Sequence, residues 1–275
     1  MSEVSEHPQV RAHREVVERL WTQPLLDLCG DDLPDSVAST VLAAESRCGA
    51  VLLRWLPALP ADTRVMALDS SGPMLDEARS RIDEAAQQRI FFVQQRVTSL
   101  SYADGVFDGA TCFHGLVTSR QTNEGLSELC RVVSPGGTVM VCAPLRTSFG
   151  EFYDLLDEAL RACGLQDVLG RLEELRGNLL GSATMATLAG EQPLEEVVVE
   201  ELSWEVAFSG GREYLYSPLI QETFFPHWIG VVRASEREQV LGYIGNAIDT
   251  YWRDETLTSQ VKAVLLTARR AEQKA

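Results

Sequence analysis

Residues 64–81 read RVMALDSSGPMLDEARSR and join a strand pattern to a helix pattern. The run from Arg64 to Leu68 has the length and composition of a buried strand. From Met74 to Gln87, apolar residues recur every three or four positions, which predicts an amphipathic helix. Asp69 lies where the strand ends and the turn begins. This β-α unit sets the pattern that the middle of the chain repeats.

Four more short apolar runs flank this unit, at Val41 to Ala44, Ile90 to Val93, Gly109 to Phe113 and Thr138 to Cys142. A further helical pattern covers residues 123–133. Short apolar runs that alternate with helices are typical of a parallel sheet covered by helices on both faces. The sequence therefore predicts an α/β fold with a doubly wound, mostly parallel sheet. Ligands of such sheets bind outside the carboxyl ends of the strands.

The segments on either side of this core have helical patterns. Residues 14–29 predict an amphipathic helix interrupted at Pro24. Residues 151–180 predict a long helical cap that is broken near Gly164 and Gly170. Two further helical segments are predicted at 214–225 and 235–252.

Two late strands are predicted from the patterns at residues 195–208 and 261–268. We expect them to make an antiparallel addition at one edge of the same sheet. The chain is thus expected to be a single domain. Its three consecutive parts are an N-terminal helical segment (1–35), a core (36–148) and a helical cap with the C-terminal strands (149–275).

The composition is that of a folded globular protein with a large excess of acidic residues. The chain has 275 residues, of which 45% are hydrophobic and 23% are charged, which fits one domain with a sizeable core. Lys and Arg number 24 against 40 Asp and Glu, so the net charge is −16. An acidic chain lacks the positive footprint that binds phosphate backbones or anionic lipids. We expect small molecules or proteins as partners and neither nucleic acid nor membranes; the sequence carries no signal for the oligomeric state.

Targeting and metal-binding patterns are absent from the sequence. The first 20 residues contain no apolar signal segment, and no run approaches the roughly 20 apolar residues of a spanning helix. A cytoplasmic location is expected. The six cysteines are scattered without CxxC spacing, and no cluster of metal ligands is visible. We therefore expect reduced cysteines and no metal.

Three stretches, taken in order and with their spacing, resemble one known family. They are residues 64–81, the stretch ADGVFDGATCFHGL from Ala103, and the stretch ELCRVVSPGGTVMVCAP from Glu128. Together they resemble the class I S-adenosylmethionine-dependent methyltransferases, in particular those with a methyltransferase type 11 domain. The resemblance covers about residues 41–145, and VKAVLLTARR from Val261 fits the last strand of the family. It implies a seven-stranded Rossmann-like sheet with a helical cap and S-adenosylmethionine as the cofactor.

The resemblance assigns cofactor roles to two residues that match the family pattern. Asp69 ends the second strand where the family has an acid that accepts both ribose hydroxyls. Gly49 is the last glycine of the turn that lets the backbone approach the cofactor. The other reading of Asp69 is a cap for the next helix, although Ser70 or Ser71 offers an equivalent cap.

The turn after the first strand departs from the family pattern. It reads VLAAESRCG from Val41 to Gly49, so Ala43 replaces an acid, while Glu45 and Arg47 replace two glycines. A guanidinium about 6 Å from a sulfonium would repel it by about 3 kcal/mol at an effective dielectric of about 20. Two alternatives remove this penalty: Arg47 swings out to solvent, or it pairs with Glu45.

Two further positions bear on cofactor and catalysis. Arg96 stands where the family has an Asp that contacts the adenine amino group, so an acceptor has become a donor. His114 follows the fourth strand, where family members place residues that face cofactor and substrate, and it is the candidate catalytic residue. The other reading of His114 is a hydrogen-bonded wall residue. His7 and His13 are expected to lie in a frayed terminus.

These departures converge on one pocket, which predicts a pseudo-methyltransferase. Its binding of S-adenosylmethionine would be impaired or lost, and its role would be regulatory or in protein interaction. The alternative is an active S-adenosylmethionine-dependent methyltransferase that acts on a small molecule or a protein. A second alternative is that Arg47 and Arg96 retune the pocket to an anionic, nucleotide-like ligand, because guanidinium groups bind phosphate.

Overall fold

The computed structural model describes residues 7–29, 39–253 and 255–272. Among these residues, seven strands form one sheet: β1 (Thr40–Ala44), β2 (Arg64–Asp69), β3 (Ile90–Gln94), β4 (Phe107–Cys112), β5 (Val133–Pro144), β6 (Leu194–Phe208) and β7 (Leu257–Arg270). Their order across the sheet is β3-β2-β1-β4-β5-β7-β6. β1 pairs in parallel with β2 and β4, whereas β7 is antiparallel to both β5 and β6. The predicted doubly wound, mostly parallel α/β fold is confirmed.

Helices surround the sheet. In the described part of the chain they are α1 (Pro8–Ala12), α2 (Gln23–Cys29), α3 (Ala50–Trp55), α4 (Gly72–Ser80), α5 (Glu84–Gln87), α6 (Ser119–Val132), α7 (Gly150–Ala162), α8 (Leu169–Asn178), α9 (Ser182–Gly190), α10 (Gly211–Tyr216), α11 (Pro218–Thr223), α12 (Phe225–Gly230) and α13 (Arg237–Tyr251). Within these described ranges, each helix is too short or too polar to cross a membrane.

The first helical segment is continuous. A π-helical stretch, His13–Thr22, joins α1 directly to α2, and we call residues 8–29 the N-terminal helix. The predicted interruption at Pro24 is wrong. The amide of Gln23 donates to the carbonyl of Glu18, five residues back, so the wide π turn has left the α-helical pattern before Pro24. The missing N–H of Pro24 therefore does not interrupt a continuous run of α-helical backbone hydrogen bonds.

Other helix boundaries also differ from the sequence prediction. The predicted helix Met74 to Gln87 is two helices, because Asp83 caps α5 by accepting a hydrogen bond from the Ala86 amide at 2.8 Å. A break at Gly164 is confirmed, with φ of 75°. The predicted break near Gly170 corresponds to the start of α8 at Leu169, directly after a 3-10 turn at Gln166–Val168.

The predicted helix over 214–225 is also wrong, because this region forms three short helices. Pro218 begins α11, and Pro226 occupies the first turn of α12. Proline is tolerated at the start of a helix but not in its interior, so each proline marks a new beginning.

Aromatic packing joins the cap to the rest of the molecule. Trp228 of α12 stacks on Phe152 of α7 with 4.0 Å between ring centroids, and its indole N–H donates to the Tyr153 hydroxyl at 3.0 Å. The neighbouring helix α11 packs on the N-terminal helix. The cap therefore supports the N-terminal helix, whose Val10 carbonyl faces the thiol of Cys48 in the turn after β1.

Candidate active site

The turn between β1 and α3 keeps a glycine-type backbone although two of its residues are not glycine. Glu45, Arg47 and Gly49 have φ of 52°, 48° and 84°. An L-residue in this left-handed conformation is strained by about 1–2 kcal/mol. At Gly49, a Cβ atom would lie 3.0 Å from the Cβ of Ala78 in α4, so this position requires glycine for space as well. The loop therefore has a backbone that suits glycine at three positions, although only one of them is glycine.

The side chain of Arg47 lies between two carboxylates. Its Nη2 is 3.7 Å from Oε2 of Glu45, and its Nε is 3.9 Å from Oδ2 of Asp69. Of the alternatives that the sequence leaves open for Arg47, the structure shows the pairing with Glu45. The positive charge at this position is thus compensated by neighbours that the sequence alone could not place.

Glu45 is buried beneath the cleft. Burial raises the pKa of its carboxyl group to about 7, assisted by the charge of Asp69. Three influences lower this pKa instead: the charge of Arg47, a hydrogen bond with the backbone of Val97, and the charge of Arg96. The carboxyl group packs on Gly115, where a Cβ would lie 2.8 Å from Cδ of Glu45. A glycine is therefore needed opposite Glu45.

Asp69 is fully buried and anchors the loop. Its Oδ2 accepts a hydrogen bond from the Arg47 amide at 2.9 Å, and its Oδ1 accepts one from the Ser71 amide at 2.8 Å. A ribose would reach this carboxylate only after the Arg47 side chain moved aside. The ribose role of Asp69 therefore stays a prediction.

A cleft of about 470 Å³ opens at the carboxyl ends of β1, β2 and β4. Its lining includes Glu45, Arg47, Ser70, Gly115 and the exposed Arg96. Both the volume and the position at the strand ends suit a small-molecule ligand. The turn and the open cleft fit S-adenosylmethionine, which the turn and Ser70 would hold; Asp69 would join them once the Arg47 side chain moved aside.

A second cavity of about 210 Å³ adjoins this cleft. The two share Arg47, Gly115 and Gln121 as lining residues. Three of the four histidines in the sequence line the second cavity: His13, His114 and His227. A ligand in this cavity would therefore lie next to a ligand in the cleft.

His114 is a buried wall residue whose ring faces the N-terminal helix. Its Nε2 is 3.4 Å from the Thr22 hydroxyl. Burial holds the pKa of His114 well below its ordinary value, and the neighbouring Arg47 and His13 act in the same direction. The ring is therefore neutral at physiological pH. Its predicted catalytic role stays a prediction.

The expectation that His13 lies in a frayed terminus is wrong. His13 is only 2% exposed, because the N-terminal helix buries Val17 and Trp21 in the core beside it. Its Nδ1 is 2.8 Å from Oε2 of Glu222 in α11. Sequence reasoning missed Glu222 and His227 as well, because 209 residues separate His13 from Glu222 and no local spacing connects them.

The structure also groups three residues that offer metal-ligand atoms, although the sequence predicts no metal. Atoms of His13, Glu18 and Cys48 lie within 4.8 Å of one another. Glu18 is bonded to Arg81, and His13 to Glu222. These groups therefore already have protein partners.

Residues 46–137 match the family described as a methyltransferase domain. A demethylmenaquinone methyltransferase from Beutenbergia cavernae is 30% identical over 172 residues, which cover 53% of this chain and 66% of that protein. A demethylmenaquinone methyltransferase from Clavibacter sepedonicus is 38% identical over 78 residues, covering 28% of this chain and 31% of that protein. The chain thus spans only about a third of the length of its first relatives.

Solved structures agree on the fold at low sequence identity. The YcgJ protein from Bacillus subtilis has a TM-score of 0.54 at 14% identity, covering 91% of this chain and 99% of that one. Phosphoethanolamine N-methyltransferase 2 from Haemonchus contortus, solved with S-adenosyl-L-methionine, has a TM-score of 0.55 at 13% identity, covering 98% of this chain and 59% of that one. The sheet and its turn thus define a methyltransferase fold. The chain belongs to the class I S-adenosylmethionine-dependent methyltransferases.

Proposed function

We propose that the chain is an active methyltransferase that holds S-adenosylmethionine in the cleft and a small-molecule acceptor in the second cavity. The observation that carries this proposal is that the two sites adjoin and share Arg47, Gly115 and Gln121. Methyl transfer requires donor and acceptor side by side in a fixed orientation. When bound, S-adenosylmethionine supplies an electrophilic methyl group.

The charges around Arg47 favour this function over a pseudo-methyltransferase. The expected repulsion of a sulfonium depends on an uncompensated guanidinium. Arg47 instead lies within 4 Å of carboxylate oxygens of Glu45 and Asp69. The same pairing weakens the case for an anionic ligand, because the guanidinium of Arg47 already faces two negative groups.

The relatives suggest where to look for the acceptor. Those from Clavibacter sepedonicus and Beutenbergia cavernae are both demethylmenaquinone methyltransferases, so a quinol ring is the first acceptor to test. The apolar walls of the second cavity, which include Trp21 and Pro226, suit a ring of this kind.

Calorimetric titration with S-adenosylmethionine and S-adenosylhomocysteine tests the donor site. We expect micromolar binding by the native chain. Asp69→Asn should weaken binding about tenfold or more, because an amide is a poorer acceptor for two ribose hydroxyls. Arg47→Gly should bind at least as tightly, since no side chain then lies beside Asp69. Asp76→Asn is the matched control, because Asp76 is exposed on α4.

The second arm measures formation of S-adenosylhomocysteine with demethylmenaquinol as the acceptor. Donor binding together with methyl transfer supports the proposal. A chain that binds neither donor nor product at millimolar concentration would overturn it in favour of the non-catalytic reading. Tight binding of ATP alone would favour the anionic-ligand reading.

A further inference from the structure

The second cavity contains an imidazole–carboxylate pair that donor binding does not explain. Nδ1 of His13 is 2.8 Å from Oε2 of Glu222. The other ring nitrogen, Nε2, is buried and has no hydrogen-bond partner among the described residues. If Nδ1–H donates to the carboxylate, the ring is held in the tautomer that has a lone pair on Nε2. This is the arrangement of a proton acceptor held in place by a carboxylate.

Several titratable or charged groups face His13 from the elements packed around it: Glu222 of α11, His114 after β4, Arg47 and Cys48 of the turn after β1, and Glu18 of the N-terminal helix. The ring of His114 is 5.9 Å from that of His13. Because His114 stays neutral, it does not compete for a proton in this cavity. Glu18 is bonded to Arg81, which leaves Glu222 as the carboxylate that orients His13.

We infer that His13, oriented by Glu222, accepts the proton of a ring hydroxyl group on the methyl acceptor. This inference rests on the proposed function and adds the chemical class of the acceptor, a phenol or enol. The O–H bond of the acceptor breaks, its electron pair stays on the oxygen, and the proton bonds to Nε2 of His13. The oxygen, or a ring carbon conjugated with it, becomes the nucleophile for the methyl group. When carbon is methylated, the hydrogen on that carbon is then lost to water as a proton, and its bonding electrons restore the aromatic ring.

The chemistry of the cavity selects this class of acceptor. Phenols ionise near the pKa of about 10 that tyrosine has, which is close enough to imidazole for proton transfer. An aliphatic alcohol is far less acidic, so a histidine takes its proton much less readily than that of a phenol. Val17, Trp21, Pro144 and Pro226 supply apolar walls to the cavity of about 210 Å³, against which the reacting ring would pack.

A chromogenic phenol tests the inference without any turnover. The probe is 4-nitrophenol, whose phenolate absorbs visible light, titrated into the full chain with and without S-adenosylhomocysteine. The variants are His13→Asn and Glu222→Gln, each of which keeps the approximate size of the side chain. His7→Asn is the matched control, because it makes the same chemical change on an exposed residue outside the cavity. A chelator in every buffer removes metal ions from the His13, Glu18 and Cys48 group.

We expect the native chain and His7→Asn to lower the apparent pKa of bound 4-nitrophenol by about one unit, as a nearby imidazolium does. His13→Asn should abolish most of this shift, and Glu222→Gln should reduce it. Circular dichroism verifies that each variant is folded, and Glu222→Gln serves if His13→Asn does not fold.

Two results would overturn the inference. The first is a shift that survives in His13→Asn and in Glu222→Gln, because another group that lines the cavity, such as Arg47 or His227, would then be its cause. The second is a native chain that does not bind the phenol. Failure of S-adenosylhomocysteine to bind, with the shift intact, would instead overturn the proposed function and leave the role of His13 standing.

Discussion

At the scale of single residues, Glu45 in the turn after β1 is energetically unfavourable in two ways. Its backbone has φ of 52°, and its carboxyl group is buried. A buried charge is tolerated when it is paired, and Arg47 supplies the pair at 3.7 Å. Glu45 therefore depends on Arg47: without this guanidinium, two buried carboxyl groups, those of Glu45 and Asp69, would lie in the same turn with no compensating charge from Arg47.

The raised pKa of Glu45 predicts how stability changes with pH. The pKa is about 7 in the folded chain against 4.5 for the free group, so between these values the folded state binds the extra proton. Stability must then fall as pH rises from about 4.5 to 7, and the loss persists above pH 7. A difference of this size corresponds to at most about 3 kcal/mol.

Glu45→Gln should remove this part of the pH dependence, because glutamine keeps an acceptor for the Val97 amide and carries no proton equilibrium. Urea denaturation at several pH values between about 4.5 and 7.5 gives the free energy of unfolding for both chains. Glu191→Gln, at the exposed end of α9, controls for the loss of a surface carboxylate. Equal slopes for the native chain and Glu45→Gln would show that the carboxyl group titrates normally.

At the scale of elements, the turn after β1 fits closely against α4. Gly49 has φ of 84°, and a Cβ there would be 3.0 Å from that of Ala78. Gly136, in β5, has φ of 78°, and a Cβ there would meet no described atom within 4 Å. Alanine would suffer the same backbone strain at both positions but would meet a close neighbour only at Gly49. Comparing the two substitutions therefore separates the cost of backbone strain from the cost of close packing.

We therefore expect Gly49→Ala to cost more stability than Gly136→Ala. Both changes place alanine at a left-handed position, which costs about 1–2 kcal/mol. Gly49→Ala additionally pushes α4 away from the turn, which should add about 1–3 kcal/mol as overpacking does. The measurement is the free energy of unfolding of each variant in urea. Equal losses of unfolding free energy in the two variants would mean that α4 moves away from the turn without loss of stability.

The sequence predicts elements better than it predicts boundaries or long-range pairs. The strand β2 and the turn with Asp69 follow from an apolar run and a turn pattern, both of which are local. The boundary between α4 and α5 depends on the cap by Asp83, which competes with an uninterrupted helical pattern. The contact of His13 with Glu222 depends on the packing of α11 against the N-terminal helix, which no local pattern encodes.

At the scale of the whole molecule, the N-terminal helix connects parts that are distant in sequence. It is bonded to α4 through Arg14 and Glu77 at 2.9 Å, and to β6 through the Trp204 indole N–H and the Leu20 carbonyl at 2.8 Å. It also forms one wall of the second cavity. A ligand that moves Arg47 away from Asp69 should therefore change the local stability of the N-terminal helix, because Arg47 and His13 line the same cavity.

Hydrogen exchange followed by mass spectrometry tests this coupling. On binding of S-adenosylhomocysteine, we expect amide exchange to slow severalfold in the turn at 45–49 and also in the N-terminal helix, since ordering of the site opposes local opening. Exchange in α13 (Arg237–Tyr251), which lines neither the cleft nor the second cavity, should change much less and serves as the internal control. Slowing confined to the turn would contradict the coupling, because the helix would then open independently of the donor site. Equal slowing in α13 would point to global stabilisation instead.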